Sequence, residues 1–191
     1  AFTRIRGGIE RVVSILSFHI TAKDRYLTIL TSGREDVPAI PVYPVPEGTN
    51  VVHIRHSDRE AVYDVLSQLA PDALVVMASG PSVAQFVHAA NTLGIPIMLS
   101  ERAEPHASIR NYWIDSGAKN YLKVYGAADM ISVQLETFRP IFDAKFSKKT
   151  VVLPNPISTF ENHQPAKDRE NRIVCVGRLN FNQKRQDLLL E

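Results

Sequence analysis

Ala73-Leu74-Val75-Val76-Met77 followed by Ser79-Gly80-Pro81-Ser82 decides the fold class. The first five residues are apolar without alternation, as in a strand buried on both faces of a parallel sheet flanked by helices. The next four offer a cap and an amino-terminal proline for a helix that runs to Leu93, where Gly94 supplies a left-handed stop. A buried strand passing straight into a helix is half of a βαβ unit. The same alternation repeats on either side. Strands are predicted at 26–31, 51–54, 95–99, 130–133 and 150–153. Helical spacing appears in Ile9, Val12, Val13, Leu16 and Ile20, and again in Ala61, Val62, Val65, Leu66 and Leu69. Pro71-Asp72 and Gly126 mark further ends, and 134–142 reads as a helix followed by a solvated loop bearing Lys145, Lys148 and Lys149. The expected architecture is α/β: a Rossmann-like parallel sheet flanked by helices, with the opening of a second Rossmann-like domain.

Residues 158–171 are nearly all polar and read as a connector. The expected division is therefore 1–157 as the first domain, 158–171 as linker and 172–191 as the start of a second, with a strand at 173–176. A glycine pair leading into a helix normally follows a strand, and in a doubly wound sheet that first strand lies in the middle. Only a short stretch precedes Gly7, so the chain reads as a segment of a longer polypeptide with residues missing from both ends.

With 191 residues, 45% hydrophobic and 22% charged, the chain falls in the ordinary globular range. A net charge of +2 with the two signs interspersed provides no field to gather a polyanion, which argues against nucleic acid as a partner. The single cysteine, Cys175, has no internal disulfide partner and lies in an apolar run as a small hydrophobe, pointing to a reducing, cytoplasmic setting. No apolar run is long enough for a membrane span.

Three segments carry candidate chemistry. Gly7 and Gly8 open a helix whose free amides favour an anion such as a diphosphate, or they form a simple tight turn; without a third glycine they do not make a dinucleotide fingerprint. Glu101, Arg102 and His106 lie in the loop after a strand, at the edge where open α/β sheets bind ligands. Together they suit orienting hydroxyls, neutralising phosphate or moving a proton, while the plain alternative is a solvated loop pairing Glu101 with Arg102 or Arg110. Gly177-Arg178, with Lys184 beyond, suits a pyrophosphate, against the alternative of a hinge loop with hydrated cations. The mixed aromatic and basic stretch 110–125 reads as a helix covering the sheet, with contact to an anionic membrane face as the alternative. Histidines and carboxylates show no ligand-like clustering outside the Glu101 loop, so no metal site is expected.

In order, Gly7-Gly8-Ile9-Glu10-Arg11-Val12-Val13, Gly94-Ile95-Pro96-Ile97 with Ser100-Glu101-Arg102 and Pro105, Ala127-Ala128-Asp129, Val151-Val152-Leu153-Pro154-Asn155-Pro156-Ile157, and Val176-Gly177-Arg178-Leu179 with Lys184-Arg185 resemble retaining nucleotide-sugar glycosyltransferases of family four, also called group one. The resemblance spans nearly the whole chain and implies the GT-B plan, two Rossmann-like domains facing a cleft, of which this chain holds the amino-terminal one. It implies transfer from a nucleoside diphosphate sugar to a carbohydrate or lipid-linked acceptor, with retention, in bacterial surface polysaccharide or glycan synthesis. The donor is the only small molecule implied, with no cofactor and no metal; cytoplasmic placement allows peripheral contact with the inner membrane face. Gly7, Gly8, Arg178 and Lys184 would then meet the donor diphosphate, and Glu101, Arg102 and His106 the reacting sugar or acceptor. The segment alone is expected to be inactive, since the later glutamate pair of such enzymes lies beyond it. The alternatives are a GT-B nucleotide-sugar epimerase and a non-catalytic sugar-binding partner subunit.

Overall fold

A computed structural model describes residues 7–32, 40–78, 80–115, 117–157, 175 and 186–189. The chain divides after Pro156 into two compact units. The first unit is α/β, with every described strand pair parallel.

Helix α1 (Gly8–Thr21) precedes β1 (Thr28–Ser32) and β2 (Asn50–Ile54), which pair in a two-stranded sheet. Then α2 (Arg59–Leu69), β3 (Leu74–Val76), α3 (Val83–Leu93), β4 (Ile97–Ser100), α4 (Pro105–Tyr112), α5 (Gly117–Gly126), β5 (Met130–Val133), α6 (Pro140–Phe146) and β6 (Thr150–Val152) follow. The last four strands form a second sheet in the order β3-β4-β5-β6. Within residues 7–157 each expected strand is present, with ends that agree to within two residues, while the strand expected at 173–176 lies outside the described residues except for Cys175. The helix expected over 134–142 is instead a 3-10 turn at Glu136–Phe138 followed by α6, because Pro140 suits a first helical turn and resists an interior one.

Helix ends follow local chemistry. Asp58 caps α2 by accepting from the amides of Glu60 and Ala61, and Gly94 ends α3 at φ +69. Pro105 occupies the first turn of α4, capped by Glu104.

The two faces of the larger sheet differ. Val76, Leu99, Ile131 and Thr150 are register partners on one face, and all are buried. Val76, Leu99 and Ile131 join one apolar cluster with Val62 and Leu66 of α2, Phe86 and Ala90 of α3, Tyr121 and Tyr125 of α5 and Phe142 of α6. On the opposite face Val75 and Met130, both partnered by Met98, remain 48% and 43% exposed. Val12 of α1 and Ile29 of β1 are buried but lie outside the cluster that α2, α3, α5 and α6 share.

Lys149 departs from the solvated loop expected for it. Its Nζ donates to the carbonyls of Gly126 at 2.5 Å and Ala128 at 2.7 Å, which closes the carboxyl end of α5, and burial lowers its pKa. Phe146 lies across the same end, and a Cβ on Gly126 would meet its ring at 2.8 and 2.9 Å. Gly126→Ala is therefore expected to destabilise the chain by about 1–3 kcal/mol through overpacking. Urea unfolding of the variant, alone and combined with Phe146→Leu, checks this, the second change recovering part of the loss.

Candidate functional site

The carboxyl ends of β4, β5 and β6 bring three polar side chains together. Arg102 follows β4, Gln134 follows β5 and Asn155 lies three residues past β6, so parallel strands in register deliver all three to one edge. The Arg102 Nη2 donates to Asn155 Oδ1, and Nη1 approaches Ser100 Oγ at 3.5 Å. Gln134, with its amide oxygen turned to the guanidinium, accepts from Nε at 3.3 Å and Nη2 at 3.2 Å. Beneath them Ser132 Oγ donates to Ser100 Oγ at 2.9 Å, and the Glu101 amide donates to the Ser132 carbonyl at 2.8 Å, which carries the ladder past the end of β4. Arg102 is half-buried, and desolvation lowers its pKa. Every side chain holding it is neutral; no carboxylate pairs with it among the described residues.

Glu101 does not face a ligand as expected, and it pairs with neither Arg102 nor Arg110. It is fully buried. Its Oε2 accepts from Tyr121 Oη at 2.9 Å and Tyr125 Oη at 2.7 Å, and its Oε1 accepts from the Ala103 amide at 3.0 Å. Consecutive residues at a strand end point in opposite directions, so turning Glu101 inward leaves Arg102 at the edge. The acid ties the loop that carries Arg102 to α5.

His106 is exposed as the second residue of α4, and its backbone amide donates to Glu104 Oε1 at 2.9 Å. Its side chain is not drawn into the arginine cluster. At the start of α1, Gly7 is the N-cap, and the Glu10 carboxylate folds back against it, where a Cβ would otherwise lie. That acidic group sits at the helix start predicted to receive an anion, while the Cβ position of Gly8 opens onto free space. Gly177, Arg178 and Lys184 lie outside the described residues. Cys175, expected as a packed hydrophobe in a strand, is a free, exposed thiol.

Three features escaped the sequence reading. Gln134 belongs to the arginine cluster, and its only signal is that it follows a strand, whereas its neighbour there, Asn155, lies in the Pro154-Asn155-Pro156 turn quoted for the resemblance. Tyr121 and Tyr125 are the partners of Glu101; their four-residue spacing on a helix puts both on one face. A hollow of about 550 Å³, open to solvent, lies at the carboxyl ends of β1 and β2, lined by Ser32, Ile54, Arg55, His56, Ser57 and Asp58. It is separate from the Arg102 cluster, though it lies at strand ends of the same kind.

The aromatic stretch packs into the core. Trp113 meets Tyr121 edge to face at 5.6 Å between ring centres, and both are buried. Among the described residues no helix is long and apolar enough to cross a membrane. No protein-family model matches this chain, and no curated protein sequence matches it.

Burial, together with the nearby Glu101 charge, raises the pKa of both tyrosines above the ordinary value. Their hydroxyls stay protonated in the folded chain at a pH where unfolded tyrosine ionises. Stability is then whole below about pH 10 and falls above it, by about 1.4 kcal/mol per pH unit for each tyrosine. Denaturant unfolding across this range is expected to show that slope, and Tyr125→Phe to reduce it by about half.

Proposed function

We propose that the chain is the acceptor-side domain of a retaining, GT-B type glycosyltransferase that moves a sugar from a nucleoside diphosphate donor to a carbohydrate or lipid-linked acceptor. The observation that carries this reading is the Arg102 guanidinium, held at the carboxyl edge of a parallel sheet by neutral partners from two further strand ends. A cation held in this way favours a negatively charged group, either on the acceptor or developing on the departing diphosphate, because among the described residues no carboxylate cancels its field. The family resemblance supplies the chemistry of the donor. Buried Glu101 aims the arginine, and exposed His106 is the remaining candidate of the loop for moving the acceptor proton.

In this reading Arg178 and Lys184 hold the donor diphosphate, and Gly7 and Gly8 approach it from the first domain. The family resemblance implies a metal-independent transfer. The natural polypeptide is placed cytoplasmically, with lipid-linked acceptors reached from the inner membrane face.

The test is release of nucleoside diphosphate from UDP-, GDP- and ADP-sugars by the full natural polypeptide, with and without oligosaccharide or lipid-diphosphate-linked acceptors. Acceptor-dependent release with one donor is expected. Arg102→Ala should lower it by about 10- to 100-fold, in line with the loss of a charge-assisted bond of about 1.5–3 kcal/mol. Epimerised sugar without any acceptor requirement, or no turnover of any donor, would overturn the proposal.

A further inference from the structure

A guanidinium is a planar fork of N–H donors, with two edges on which an anion can sit in bidentate fashion. In Arg102 one edge is formed by Nε and Nη2, the other by Nη1 and Nη2. Gln134 holds the first edge, its amide oxygen accepting from Nε at 3.3 Å and from Nη2 at 3.2 Å. The second edge is held more loosely. There the other Nη2 hydrogen goes to Asn155 Oδ1, while Nη1 lies 3.5 Å from Ser100 Oγ, at the outer limit of a hydrogen bond. Both edges are thus engaged, and a bidentate anion has to displace a neutral amide. Displacing Gln134 breaks two bonds, whereas displacing Asn155 breaks one.

Asn155 also stands where displacement has a consequence. It lies between Pro154 and Pro156. A proline fixes its own φ and holds the residue before it extended, so the stretch from Leu153 to Pro156 has little internal freedom. At its start the Leu153 amide donates to the Val133 carbonyl at 2.8 Å, which fastens it to the tip of β5. At its other end the first unit stops, at Pro156, and Ile157 is 89% exposed. Between these points the Asn155 side chain ties the stretch to Arg102. A stiff stretch moves as one piece, so freeing Asn155 alters how the chain leaves the unit.

We propose that an anion enters the Nη1–Nη2 edge of Arg102 in exchange for Asn155, so that occupancy of the site controls the stretch through which the chain leaves the first unit. The ligand class is a phosphate or diphosphate, whose paired oxygens match a guanidinium edge. The exchange has the right sign, because a charge-assisted hydrogen bond replaces a neutral one of about half its strength. Gln134 keeps the other edge and holds the guanidinium plane in place. This inference rests on the anion site of the reading above and not on sugar transfer.

Titration of the full natural polypeptide with inorganic pyrophosphate tests it. Without any substitution, the NMR signal of the Asn155 side-chain amide is expected to shift on saturation. Asn155→Ala is expected to bind pyrophosphate about 3- to 10-fold more tightly, because the competing bond is gone. Arg102→Gln is expected to lose binding. A nitroxide attached through Ile157→Cys, with Cys175→Ser to leave one thiol, is expected to change mobility when pyrophosphate binds. Pyrophosphate that fails to bind, or binds Arg102→Gln equally well, overturns the anion site and this inference with it. Binding that depends on Arg102 but leaves the Asn155 signal in place, or is unchanged or weaker in Asn155→Ala, overturns the exchange alone. Exchange without any change at position 157 overturns the control of the chain exit.

Discussion

A carboxylate with no exposed surface must be satisfied where it lies, and the way Glu101 is satisfied fixes much of the site. Three donors converge on it: two tyrosine hydroxyls from α5 and the amide of Ala103 in its own loop. Removing such a group from water without partners costs several kcal/mol, so any rotation of α5 that withdrew its hydroxyls would be opposed strongly. The clasp therefore couples the tip of β4 to α5. Through the ring contacts of Tyr121 with Trp113 and Phe142 it also couples α5 to the end of α4 and to α6. The loop after β4 has little freedom left, and Arg102 inherits that rigidity.

Strand positions were legible because the strands of a sheet covered by helices are short apolar runs bounded by punctuation, as at Ala73 to Met77 and Gly94. What escaped was direction. Glu101 and Arg102 are neighbours of opposite charge in a loop, and sequence alone gives no reason to bury one and expose the other. The reason sits 20 and 24 residues away, in the two tyrosines. Lys149 shows the same limit: it reads as one more solvated cation, yet carbonyls left over at the end of α5 claim it. Gln134 and Asn155 each stand after a strand, but only the register of β4, β5 and β6 makes them partners of Arg102.

The sheet divides its labour by face. One side, with Val76, Leu99 and Ile131, is sealed by four helices and supplies the hydrophobic stabilisation. The other carries Val75, Met98 and Met130 only partly covered.

The arginine cluster is held by neutral side chains among the described residues. Structural arginines in folded chains are usually paired with carboxylates, which cancels their charge and leaves little field beyond the pair. Here an acid is adjacent in sequence and has been withdrawn into the core, where tyrosines occupy it, while amide and hydroxyl oxygens hold the guanidinium. These neutral acceptors orient the cation without neutralising it. Partial burial weakens the competition from water, so the positive potential at the rim is stronger than that of a free surface arginine. Separating the two charges of a Glu-Arg pair in this way leaves the guanidinium with the uncancelled charge that the proposed anion site would use.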